Sequence, residues 1–216
     1  EGFSYLNYDF NASFRLPTLI GGVVGNITSK KFIKVSNQGE IFNASSNGIN
    51  NITYLGGIFG KYSNHNGGYH TRHSLVNTGS IYIIPSVKTT KAAGIGIVQY
   101  TKEHENEDNI FLGLRNEGSL YEPFFSEEYN YDYAGLIYDI ASNLIIYNGI
   151  NRADFNLNLY HTSRVNPIYF SEGNENNFDT ILVNCTNYGN ILLEINSLVS
   201  QDVFISGLTT SQDISL

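Results

Sequence analysis

The chain has 216 residues, a formal net charge of -8 and only 15% Asp, Glu, Lys and Arg, set against 16 Tyr, 13 Phe and 21 Gly. So low a charge with so many aromatic residues excludes a disordered chain, and the acidic balance argues against a nucleic-acid or anionic-membrane surface. One cysteine, Cys185, excludes an internal disulfide, and no apolar run reaches the length of a membrane span, so no direct membrane insertion is expected.

In chain order, pairs of small residues open apolar stretches at Gly21-Gly22-Val23, Gly56-Gly57-Ile58, Ala93-Gly94-Ile95 and Ala134-Gly135-Leu136, and more weakly at Asn166-Pro167-Ile168 and Ser206-Gly207-Leu208. A second marker, Asn followed by Gly and an aliphatic residue, alternates with them at Asn37, Asn77, Asn116, Asn148 and Asn187. From each Asn to the next pair is 16 to 19 positions, whereas the return step ranges from 14 to 23. Two markers in fixed order are an internal repeat whose insertions collect on one side.

Position minus two from each Asn marker holds Val35, Leu75, Leu114, Ile146 and Cys185, and position minus four holds Ile33, His73, Leu112, Leu144 and Val183. Alternate residues of a strand share a face, so both sets are expected to point inward. After the turn, Ile41, Ile81, Leu120, Ile150 and Ile191 resume in register. The small pair is expected to open a third strand with Val23, Ile58, Ile95, Leu136, Ile168 and Leu208 as its inward column. Apolar columns running through every repeat, with the Asn residues in one ladder, predict an all-β fold: a parallel β-solenoid (β-helix) of about five to six coils. The alternative is a β-propeller, since a repeat of this length also makes a four-stranded blade. Residues 1–216 read as a single solenoid domain, a fragment of a longer protein.

The Gly-Gly-Ile-x-Gly strand followed by Asn-x-Gly-x-Ile resembles the GLUG motif of bacterial surface proteins and of the non-catalytic region of IgA-specific metalloproteases. That resemblance implies a β-helical module at the cell surface or outside the cell and brings no catalytic residue. The later copies depart from Gly-Gly.

Candidate binding residues fall where the repeat departs from what stacking requires. One return loop carries His65, His70 and His73, and the next carries Glu103, Glu105, Glu107 and Asp108. Equivalent loops of adjacent coils lie side by side, so these form one candidate edge. The run Tyr129, Tyr131 and Tyr133 alternates with polar residues and is a candidate stacking strip for sugar or protein. The His spacing matches no zinc pattern, the acidic run lacks the spacing of a calcium loop, and no cofactor or metal is expected. Asp9, Asp132, Asp139, Glu172 and Asp179 occupy different slots, so paired-carboxylate catalysis is not expected. The main expectation is a non-catalytic structural and binding module, adhesin-like, whose partner is a host protein or glycan or a neighbouring domain. The alternatives are a carbohydrate-active β-helix enzyme and the accessory β-helix of a secreted protease.

Overall fold

The computed structural model describes residues 18–28, 31–43, 52–63, 70–83, 89–99, 109–122, 130–140, 143–159, 164–172, 180–195 and 204–205. These residues form a parallel β-solenoid in which each strand pairs with its equivalent one coil away. Each coil contributes to four sheets, not three, because the small pair is the corner between two strands.

Sheet A stacks Thr18–Gly21, Ile52–Gly56, Thr89–Ala93, Asn130–Ala134, Arg164–Asn166 and Phe204–Ile205. Past the corner, sheet B stacks Val24–Ile27, Phe59–Ser63, Gly96–Gln99, Ile137–Ile140 and Tyr169–Glu172. Sheet C runs up to the Asn turn, from Lys31–Asn37 in the first coil to Thr180–Val183 with Thr186–Asn187 in the fifth. Sheet D follows the turn with Ile41–Asn43, Ile81–Ile83, Leu120–Glu122, Phe155–Leu159 and Ile191–Ile195. Five coils are therefore described, and Phe204–Ile205 opens a sixth on sheet A alone.

The cross-section is two nested chevrons. Sheets C and D meet at the Asn turn to form the outer one, and sheets A and B meet at the small pair to form the inner one. One core lies between B and C, with Phe59, Leu75, Val98, Phe111, Leu114 and Ile146, and a second between A and D, with Leu55, Ile81, Leu120, Tyr133 and Phe155. A third, between A and B, holds Tyr54, Ala93, Ile97, Ala134 and Tyr138. No coil could bury these faces alone, so each depends on its neighbours.

The two sequence markers are one junction in space. Asn37 donates from Nδ2 to Asn77 Oδ1 at 2.9 Å, Asn77 to Asn116 at 2.9 Å, Asn116 to Asn151 at 3.1 Å and Asn151 to Asn187 at 2.7 Å. The inner corner closes directly onto this ladder. A Cβ on Gly57 would lie 2.5 Å from Asn77 Nδ2 and one on Gly94 2.1 Å from Asn116 Nδ2, so only a residue without a side chain fits. Asn77 and Asn187 also donate to the carbonyls of Gly79 and Gly189, both at 2.9 Å.

The fourth rung is Asn151, not the expected Asn148. Here Ala153 stands in place of the turn glycine, and Asn151 Nδ2 donates to the Ala153 carbonyl at 3.4 Å. Phe155, not Ile150, then continues the inward column of Leu120 and Ile191.

Asn148 belongs instead to a column of left-handed residues, with φ of 55° at Lys34, 59° at Ser74, 64° at Gly113, 55° at Asn148 and 53° at Asn184. Each sits three positions before a ladder Asn and resets the strand alternation. Four positions before the ladder Asn the chain therefore turns outward: Ile33 and Val183 are both 40% exposed, and His73 is half-buried, not inward, whereas Leu144, counted from Asn148 and not from the true rung, is buried as expected. Position minus five turns inward, giving the column Phe32, Arg72, Phe111, Ile146 and Leu182. Gly149 takes the place expected of Ile146, between Leu114 and Cys185. Ile58, Ile95, Leu136 and Ile168 are buried at the corner as expected, whereas Val23 of the first coil is 47% exposed and Leu208 lies outside the described residues.

Candidate functional site

On the strands of sheet D the residue after each inward aliphatic points out. In the first three coils that residue is aromatic, and the register aligns Phe42, Tyr82 and Tyr121. Phe42 and Tyr82 stack with centroids 4.7 Å apart and an interplanar angle of 6°, and Tyr82 and Tyr121 at 5.1 Å and 17°. The column continues through Asn156 to Leu192, which is 52% exposed. Each aromatic pair adds roughly 0.5–1.5 kcal/mol beyond its buried area, so the ladder also holds the coils in register.

Two positions back along the strands, at the rim of the Asn turn, stands a polar column of Glu40, Ser80, Ser119, Asp154 and Asn190. The Tyr82 hydroxyl donates to Glu40 Oε1 at 3.4 Å, and Asn190 donates from its backbone and Nδ2 to Asp154 Oδ1 at 2.8 and 3.1 Å. Burial, the Glu40 carboxylate and Tyr121 together push the Tyr82 phenol up. Beyond them Glu117 pairs with Arg115 and with Arg152, whose guanidinium lies 5.6 Å from the Tyr188 ring. An apolar ribbon edged by acceptors, hydroxyls and a charged cluster thus runs along the solenoid axis.

The candidates chosen from sequence are placed unevenly. His65, Glu103, Glu105, Glu107, Asp108 and Tyr129 lie outside the described residues, as do Asp9 and Asp179. His70 opens the strand His70–Asn77 and Tyr131 lies in Asn130–Ala134. His73 faces outward, with Nδ1 3.3 Å from Ser74 Oγ. Tyr133 is fully buried and donates to Glu122 Oε2 at 3.0 Å, which removes it from any surface strip. Among the described residues no three His, Cys, Asp or Glu side chains gather as a metal ion would require. The ribbon of Phe42, Tyr82 and Tyr121 was missed because each ring stands alone in its repeat; aligning the turns would have shown the column.

Buried ionisable groups are absorbed by the fold. Arg72 is enclosed between Phe32 and Phe111 in its column, its guanidinium 3.6 Å from the Tyr62 ring centre, and burial lowers its pKa to about 10. Asp132 accepts from Arg164 Nε and Nη2 at 2.8 and 2.7 Å and from the Tyr138 hydroxyl at 3.0 Å. Cys185 is half-buried beside Gly149, donates to the Ile146 and Val183 carbonyls at 3.6 and 3.7 Å, and has its thiol pKa raised by burial.

Glu122 lies in the A–D core beside Leu157, and burial raises its pKa to about 8, opposed in part by the Tyr133 hydrogen bond. A carboxyl held protonated by the fold contributes stability that is fully present below its unfolded pKa and is lost as pH rises through the folded value. The melting temperature is thus expected to fall between pH 5 and pH 9. Glu122→Gln keeps an acceptor for Tyr133 and should flatten that profile, by roughly 3–5 kcal/mol at pH 9. Equal slopes for the two proteins would show that Glu122 is not buried as described.

Comparison of the chain with protein-family models, with curated proteins and with solved structures returned no match.

Proposed function

We propose that the chain is a non-catalytic, adhesin-like binding module of a bacterial surface or secreted protein, a rigid spacer presenting the sheet D ribbon to a glycan. The aromatic ladder of Phe42, Tyr82 and Tyr121 carries the reading, because it sets a continuous row of stacked rings on an outer face of the solenoid. Sugars combine apolar C–H patches with dense hydroxyls, and the ribbon offers rings for the first and Glu40, Ser80, Ser119 and Asp154 for the second. The GLUG resemblance supports the bacterial and extracellular setting. The non-catalytic part is supported by Asp132 and Glu122, which are engaged by Arg164, Tyr138 and Tyr133.

Tyr82→Ala with Tyr121→Ala is the test. Both rings are on the outside, so far-UV circular dichroism should be unchanged while retention on a glycan array falls at least tenfold. Retention that survives the double variant would overturn the ribbon reading and favour the loop residues His65 to His73 and Glu103 to Asp108. Hydrolysis of a bound glycan would overturn the non-catalytic reading.

A further inference from the structure

We propose that two copies of this chain pair side by side through the outer face of sheet C, as a closed dimer with the two solenoid axes antiparallel. Three consecutive strands of that sheet are apolar on both faces: Ile110-Phe111-Leu112, Leu144-Ile145-Ile146 and Ile181-Leu182-Val183. Phe111, Leu144, Ile146 and Leu182 pack into the B–C core. The register sets the others, with Tyr147, in two outward columns, Ile110, Ile145 and Ile181 beside Leu112, Tyr147 and Val183. Parallel strands with near-continuous apolar runs are the kind that is covered on both faces, yet Tyr147 is 37%, Val183 40% and Ile181 48% exposed.

The face matches itself when the order of the coils is reversed. A two-fold axis along the strand of the third coil sets Leu112 against Leu112 and Ile110 against Ile110 of the second copy. The same operation brings Ile33 to Val183, His73 to Tyr147 and Val76 to Ile150. Charge selects this orientation over the parallel one. Among the described residues, every charge that points out of sheet C is positive: Lys31 and Lys34 in the first coil and Arg115 in the third. Axes running the same way would bring the two first coils and their lysines together. Reversed, Lys34 meets Asn184, and the stem of Lys31 can lie along Ile181. Arg115 keeps its own Glu117 as partner. Five coils of strands as long as Lys31–Asn37 make a face of about 24 by 23 Å, so two copies bury on the order of 1,200 Å² together, enough for a specific contact. The contact is isologous and stops at two copies. Sheet D, the other limb of the outer chevron, stays free in both, so the dimer carries two ribbons.

Sedimentation velocity of the chain over nanomolar to millimolar concentration tests the proposal. A monomer and a dimer are expected, with nothing larger. Leu112→Lys puts two like charges on the axis and should weaken pairing at least tenfold. Tyr147→Lys alters an exposed position, so circular dichroism should be unchanged while pairing weakens to a similar degree. Adding His73→Glu to Tyr147→Lys should restore the dimer, because the two positions stand two coils apart within one chain and meet only across the reversed contact. A monomer at every concentration would overturn the proposal and leave the face to a different partner. Growth beyond the dimer, or pairing indifferent to both lysine variants, would overturn it by placing the contact on another surface. Failure of His73→Glu to restore pairing would overturn the reversed order.

Discussion

Gly94→Val is expected to abolish cooperative folding. A Cβ at this position would lie 2.1 Å from Asn116 Nδ2 and 2.2 Å from the Gly135 carbonyl, and neither can retreat. The Asn116 amide is fixed between two rungs, and the Gly135 carbonyl belongs to the next corner, which is itself hydrogen-bonded onward through Gly135 N to Asn166 O at 2.9 Å. The strain should exceed roughly 4 kcal/mol, which is outside the range of ordinary substitutions. Gly113→Asn is the matched comparison. Its φ is +64°, which Asn tolerates, and the nearest atom to an added Cβ is Ser74 N at 4.0 Å, so circular dichroism and melting should change little. A Gly94→Val protein melting within a few degrees of the parent would mean that the corner does not rest on the ladder.

Asn116→Ala should cost roughly 3–5 kcal/mol in urea denaturation, since it strands the buried Asn77 donor and the buried Asn151 acceptor together. The cost should come with a lower slope of free energy on urea if the coils on either side of the break unfold separately. Asn148→Gly supplies the contrast. Asn148 is exposed, its side chain accepts from Asn184 Nδ2 at 2.7 Å, its backbone bond to the Val183 carbonyl is kept by glycine, and its φ is one that glycine adopts freely, so the change should stay within about 0.5 kcal/mol. Equal costs for the two substitutions would return Asn148 to the ladder.

That contrast marks how far the sequence could be read. Recurrence of the small pair and of Asn-x-Gly was enough for the parallel solenoid, because stacking forces equivalent residues into columns and columns show as repeats. Asn148-Gly149-Ile150 mimicked the turn marker since a left-handed kink and a tight turn favour the same residue types, Asn and Gly. The true turn, Asn151-Arg152-Ala153, lacked the glycine that would have announced it. The kink column was invisible for another reason. Lys34 and Ser74 hold a conformation costing roughly 1–2 kcal/mol each, which nothing in those side chains signals and which only the stacked neighbours impose. Once alternation was carried through the kink without a break, Arg72 and His73 exchanged faces. The surface ribbon was hidden differently again: Phe42, Tyr82 and Tyr121 acquire meaning only after the coils are aligned, because a column one residue wide has no period along the chain.

The closure of each corner on the Asn of its own coil, Gly57 on Asn77 and Gly94 on Asn116, bears on how such a molecule changes length over generations. A stretch of gene running from one small pair to the next encodes both halves of the contact, so a tandem duplication delivers a ready-made coil that needs no compensating change elsewhere. Deleting one coil is equally clean. Reach can therefore drift in whole steps of one strand spacing, about 4.8 Å, while any insertion that separates a pair from its Asn is confined to the outward loops. The molecule behaves as a ruler whose graduations are heritable one at a time.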